Sequence, residues 1–141
     1  MPKQQGFTLI EVMVVVVILG ILAAIVVPRI MGRPDEARIV KAQQDLRAIG
    51  AALDLYKLDN FNYPSTAQGI EALVTKPAAL PPGANWRAGG YLTKLPTDPW
   101  GAVYLFLAPG QHGEYDLYSL GADRTLGGEG NNRDLANWEI E

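Results

Sequence analysis

Hydrophobic positions along the chain fall into two unlike patterns. From Phe7 the sequence runs FTLIEVMVVVVILGILAAIVV, apolar on every side of a helix, with Glu11 as its one charge. At about 1.5 Å of rise per residue, residues 7–27 cover about 30 Å, enough to cross a bilayer. Beyond Pro34 the apolar positions become periodic. Ile39, Ala42, Leu46, Ile49, Leu53 and Tyr56 recur at three- and four-residue steps. Arg38, Lys41, Gln44, Arg47, Asp54 and Lys57 fall largely off that stripe. The spacing predicts an amphipathic helix running to about residue 58, its apolar face packed on the chain's own sheet. Pro28, Gly32 and Pro34 punctuate the join, which predicts an interrupted or loosened helix there.

The remainder alternates short apolar runs with turn residues. Asn60, Asn62 and Pro64 mark a loop. Ser65 and Gln68 stand at capping-box spacing before Ile70 and Leu73, predicting a short second helix. Pro77, Pro81, Pro82 and Gly83 predict an irregular connection. Asp98-Pro99-Trp100-Gly101 reads as a β-turn, with proline second and glycine fourth. Tyr104 and Phe106 predict a strand before Pro109-Gly110, and Tyr115, Leu117 and Tyr118 another after Gly113. Trp100 and the tyrosines read as core and turn anchors, and His112 as a solvent-exposed loop residue. The fold class is therefore α+β.

Composition narrows the chemistry. The chain has no cysteine, which excludes disulfides, thiolate metal sites and a cysteine nucleophile. Net charge is −3, and the acids crowd the C-terminal end. After Gly113 stand Glu114, Asp116, Asp123, Glu129, Asp134, Glu139 and Glu141, against Arg124 and Arg133. Phosphate neutralisation needs a basic face, so nucleic acid is a poor partner and a cation a plausible one.

The N-terminus does not read as a cleaved secretory signal. Its apolar run exceeds the usual 7–15 residues, and Ala23-Ala24 leads into more apolar sequence. It reads as a permanent anchor, with Lys3 holding that end in the cytoplasm and residues 28–141 across the membrane. Arg29 and Arg33 at the far end weaken the charge rule. Glu11 has two readings. It can snorkel, favoured by the macrodipole near a helix start. It can also meet a positive partner within the membrane, because buried charges are paired. Position alone leaves both open.

The whole string is more informative. Lys3, Gly6, Phe7-Thr-Leu-Ile-Glu11 and the long apolar run resemble the class III signal of type IV pilins and pseudopilins. The resemblance implies cleavage between Gly6 and Phe7 by a prepilin peptidase and N-methylation of the new Phe7 amine. It also implies that Glu11 assists assembly by pairing with the N-terminus of a neighbouring subunit. The chain then divides into a leader at 1–6, a transmembrane and filament-core helix at 7–27, and a periplasmic domain at 28–141. YKLDNFNYPST with QGIEALV, LPTDPWG and DLYSLGAD further resemble the major pseudopilins of type II secretion. That family implies a pilin-like fold, a long N-terminal helix on a small antiparallel β-sheet with a calcium-binding loop.

Residues SLGADRTLGGEGNNRDLANW form a long segment rich in glycine, asparagine and acids. A solvated loop is the simple reading, yet the length is unusual for a small domain. Asp123, Glu129, Asn131, Asn132 and Asp134 supply the hard oxygens that calcium takes six to eight at a time. The EF-hand pattern is absent. The family resemblance assigns the metal to Asp123 and Asp134 as carboxylate ligands and to Leu120 and Thr125 through their carbonyls. In the middle of the loop Asn132 ranks ahead of Glu129 and Asn131.

The resemblance implies a non-enzymatic, structural subunit polymerising into a periplasmic filament that drives folded proteins across the outer membrane. Implied partners are other copies, minor pseudopilins, the prepilin peptidase and the inner-membrane assembly platform. A type IV pilin of a surface fibre is the alternative, disfavoured by the missing cysteines. A membrane-anchored enzyme is the third reading; no nucleophile and base, histidine cluster or carboxylate pair can be placed together for it.

Overall fold

A computed structural model of the chain describes residues 1–3, 5–31 and 33–140, with 27–31 and 33 described by their backbone alone. Gln4 of the leader, the predicted break at Gly32 and the terminal Glu141 lie outside the described residues. The chain divides into two compact units, Met1–Glu36 and Ala37–Glu141.

Helix α1 covers Leu9–Met31 and α2 covers Arg33–Asn60. Within α1, Leu9–Val26 is long and apolar enough to cross a membrane, and its side chains are exposed. The helix stays long at Pro28, since α1 runs through it to Met31. Proline's fixed φ is itself helical, so a helix can pass through it at the loss of one backbone bond. Pro34 stands in the first turn of α2, where its missing N–H would have no intrahelical partner anyway.

The second unit is built on the apolar stripe of α2. Ala42, Leu46, Ile49, Ala52, Leu53 and Tyr56 are buried, and Ile39 is half-buried against them. They pack with Ile70, Leu73, Tyr104, Leu117 and Leu135 in one core. The stripe follows from the 3.6-residue period, which returns every third or fourth side chain to one face. At the edge of that stripe Lys41 pairs with Asp45 at 2.6 Å, and Asp45 also accepts from the hydroxyl of the core residue Tyr104 at 2.9 Å.

Ser65 and Gln68 form the expected reciprocal bonds. Ser65 N donates to Gln68 Oε1 at 2.9 Å, and Gln68 N donates to Ser65 Oγ at 3.2 Å. They close a tight turn rather than open an α-helix. Gly69, at φ 64°, ends that turn, and a four-residue 3-10 helix at Ile70–Leu73 follows. Left-handed backbone cannot continue into an α-helix, so the capping signal marks the turn alone.

Three antiparallel strands complete the unit in the order β1 (Leu105–Leu107), β2 (Asp116–Ser119), β3 (Leu135–Ala136). Leu105 faces Tyr118, and Ser119 faces Leu135. The acidic segment 120–134 is therefore the connection between two neighbouring strands. Ser119 and Leu135 hold its two ends together, so it closes on itself as a ring.

Candidate functional site

The N-terminal residues carry one local device. Thr8 immediately precedes α1, and its Oγ1 accepts from the N–H of Glu11 at 3.3 Å. This caps an otherwise orphan donor of the first turn. Glu11 is the acid of that turn and is exposed. Among the described residues no cation forms an ion pair with it. Gly6 and Phe7 lie outside regular structure, and Phe7 is 85% exposed. A Cβ added at Gly6 would meet nothing within 4 Å, so no packing inside the chain requires glycine there.

The ring between β2 and β3 is closed from inside. Ala122 N donates to Asn131 O at 2.8 Å, joining its two limbs. Gly127 N donates to Asp134 Oδ2 at 2.9 Å across the far end. Thr125 N donates to Asp123 Oδ1 at 3.1 Å, an Asx turn that holds residues 123–125 in place. Gly121 sits at φ 71°, and a Cβ there would lie 2.8 Å from the carbonyl oxygens of Asn131 and Arg133. Only glycine lets the two limbs approach so closely.

The sequence-predicted donors are distributed as follows. Asp123, Thr125, Glu129 and Asn132 are exposed, while Leu120, Asn131 and Asp134 are half-buried. Segment 120–125 lies against segment 131–134 through the Ala122 to Asn131 bond and the Gly121 approach. Among the described residues two buried acceptors in this ring have no hydrogen-bond partner, Asn131 Oδ1 and Asp134 Oδ1. Buried acceptors are normally satisfied, and two orphans three residues apart are what a cation or ordered water would satisfy. The donor set is all oxygen, which suits calcium or magnesium rather than a soft metal. Among the described residues no three His, Asp or Glu side chains gather, so any metal here depends on amide and carbonyl oxygens as well.

The sequence ranked Asn131 behind Asn132, whereas the buried orphan oxygen is Asn131 Oδ1. Two asparagines side by side carry no signal of which one turns inward. His112 has contacts that the sequence did not disclose. It is exposed, as the sequence suggests, but it is not unengaged: its ring stacks on Trp138 at 3.8 Å with planes 8° apart. Its Nδ1 lies 3.1 Å from Asp116 Oδ2. Asp116 is buried, and its carboxylate also accepts from the N–H groups of Gln111 and His112. Burial pushes its carboxyl pKa up. The donors from Gln111 and the His112 ring and backbone outweigh that and hold it below its ordinary value.

A depressed carboxyl stabilises the fold above its unfolded pKa, and that contribution is lost as pH falls through the folded value. Asp116→Asn is expected to cost about 1–3 kcal/mol at pH 7. In thermal melts the gap from the native chain should close as pH falls below about 4. A gap that persists unchanged to pH 3 would discard this account.

The family described as "Type II secretion system (T2SS), protein G" matches residues 29–138, and the "Prokaryotic N-terminal methylation motif" matches residues 1–27. The chain is 63% identical over 137 residues to the "Type II secretion system core protein G" of Pseudomonas aeruginosa, covering 97% of this chain and 96% of that protein. Its counterpart from Vibrio cholerae is 56% identical, covering 100% of this chain and 96% of the relative. The crystal structure of the major pseudopilin from the type 2 secretion system of enterohaemorrhagic Escherichia coli is similar, with a TM-score of 0.67 and 44% identity. That match covers 79% of this chain and 96% of the crystallised one.

Proposed function

From the premise that this chain belongs to the protein G family of the type II secretion system, we propose how its residues serve a secretion filament. The family is that of the major pseudopilins, structural subunits of the pseudopilus, and the helix-and-small-sheet fold agrees with that role. The chain polymerises through an open head-to-tail contact into a periplasmic filament, with residues 7–27 in its core and the domain from 28 onward outside. Growth of that filament helps drive folded proteins across the outer membrane. Minor pseudopilins and the inner-membrane assembly platform are its further partners. Before assembly the subunit is a single-pass protein of the inner membrane with its C-terminal domain in the periplasm.

The observation that carries this reading is the adjacency of the two family matches. A methylation motif at residues 1–27 is followed at residue 29 by the protein G domain. The leader 1–6 is removed by the prepilin peptidase between Gly6 and Phe7, and the Phe7 amine is methylated. The exposure of Phe7 and the open surroundings of Gly6 support access for such an enzyme. Glu11 then pairs with the new amine of a neighbouring copy.

The ring after β2 binds calcium through the carboxylates of Asp123 and Asp134 and the carbonyls of Leu120 and Thr125. Asn132 is the amide that sequence favours, and the inward Asn131 Oδ1 supports a share for that residue too. Bound calcium would lock the two limbs and hold the loop as a rigid surface for the next subunit.

Intact mass and N-terminal sequencing of the protein from its host's membranes test the processing. A chain beginning at methylated Phe7 is expected. A chain that still begins at Met1 in cells with an active prepilin peptidase would overturn it.

A further inference from the structure

We infer that Asp98, acting through Ser119, is a positioning residue for the calcium loop, setting its affinity from outside the ligand set. This inference rests on the calcium reading above. Asp98 opens the turn at 98–101 and is only 3% exposed. Its backbone and side chain close that turn completely. Gly101 N donates to Asp98 O at 3.0 Å, and Asp98 Oδ1 accepts from Trp100 N at 3.0 Å and Ala102 N at 2.8 Å. One carboxylate oxygen therefore suffices for the turn.

The other oxygen faces away from the turn. Asp98 Oδ2 accepts from Ser119 Oγ at 2.7 Å. Ser119 is 1% exposed and is the last residue of β2. Its Oγ accepts in turn from the N–H of Gly121 at 3.2 Å. The peptide of Leu120, whose carbonyl is a proposed ligand, is thus held between two residues fixed by one hydroxyl. A second tie reaches the same turn from further along. Arg124 Nη2 donates to Trp100 O at 3.2 Å. Arg124 sits at φ 57°, an uncommon and strained conformation for a side chain that is not glycine. It lies between Asp123 and Thr125, two more proposed ligands.

Residues 119–124 are therefore fastened at both ends to one turn, anchored by the buried Asp98, that itself takes no part in coordination. A glycine-rich ring would otherwise have to be ordered when the cation arrives, at an entropic cost that weakens binding. Holding the carbonyls in place beforehand removes part of that cost. The buried pair of Asp98 and Ser119 has no other evident use, because the turn is closed without it.

The test measures calcium affinity by equilibrium dialysis and thermal melting without calcium, on the full chain in detergent micelles. Asp98→Asn keeps an oxygen for the two N–H groups of the turn but sets an amide N–H against Ser119 Oγ, so the hydroxyl proton loses its carboxylate acceptor. Ser119→Ala removes the hydroxyl. Each is expected to raise the calcium Kd about tenfold or more. The double variant should be no worse than either single one, because both break the same link. Arg124→Gln, at the second tie, should weaken binding on its own and add to the effect of Ser119→Ala. A purely structural role would lower the calcium-free melting temperature and leave Kd unchanged, which overturns the inference. If Asp98→Asn fails to fold, Ser119→Ala alone decides. A native chain that takes up no calcium removes the metal reading and this inference with it. A native chain that binds, beside variants that bind equally well, removes this inference alone.

Discussion

Calcium at about one hundred times its Kd should raise the melting temperature of the calcium-free protein by about 10 °C or more. A ligand that binds only the folded state at that excess stabilises it by about 2.7 kcal/mol. For a domain the size of Ala37–Glu141, each kcal/mol moves the midpoint by about 4–8 °C. Asp134→Ala should abolish that shift, and Asp123→Ala should do the same. Their calcium-free stabilities give a sharper expectation. Without metal, Asp134 Oδ2 is bonded to Gly127 N while Oδ1 is buried and orphaned. Removing the carboxylate loses one hydrogen bond and relieves one buried, half-satisfied charge. These oppose each other, so the calcium-free melting temperature should change little. Magnesium, which keeps its waters and an octahedral shell, should give a smaller shift than calcium. Scanning calorimetry of the full chain in detergent, with calcium and with a chelator, makes the comparison. A full calcium shift in both variants would show that neither carboxylate is a ligand.

What sequence made legible here depended on whether a feature was local or assembled. The stripe from Ala42 to Tyr56 was readable because helical periodicity places those residues on one face whatever lies opposite. The turn at 98–101 was readable from proline and glycine alone, and Gly101 N does bond Asp98 O. The same residues did not disclose that Asp98 holds Ser119, twenty-one positions away, because nothing local encodes that distance. The capping box at Ser65 and Gln68 formed, but Gly69 turned left-handed and left only a 3-10 turn behind it. At Pro28 the sequence left interruption and a loosened continuous helix both open, and α1 continues past it. His112 is the exposed loop residue the sequence suggested, but its stacking on Trp138 was not legible because that partner comes from the far end of the chain. For the loop, acids and asparagines marked the candidate oxygen donors. Which asparagine turned inward was set by the ring's closure rather than by spacing.

Glu11→Gln should leave the subunit processed, inserted and folded, yet unable to enter the filament. The substitution keeps the size of the side chain and an acceptor oxygen, and removes the charge. The capping bond inside the chain runs from the Glu11 N–H to Thr8 Oγ1, so it survives the change. Among the described residues Glu11 has no ion-pair partner to lose. In an isolated membrane helix the neutral side chain is in fact easier to insert, since a carboxylate near the bilayer centre costs about 2.5–3.5 kcal/mol. A snorkelling carboxylate thus predicts no loss on substitution. A carboxylate that meets the Phe7 amine of a neighbour in the apolar filament core predicts a large one. Removing one partner there leaves the other charge buried and alone, at about 3–5 kcal/mol. At about 1.4 kcal/mol per factor of ten, incorporation should fall at least a hundredfold. Counting the variant in sheared and pelleted filaments, against its amount in the membrane, reads this directly. The partner is tested by blocking cleavage with Gly6→Val, which withholds the free Phe7 amine. Adding Glu11→Gln to the uncleaved chain should then cost nothing more, because the pair has already been broken from the other side. Wild-type incorporation of Glu11→Gln would leave the carboxylate as a snorkelling group, and the assembly contact would have to be sought among the apolar faces of α1.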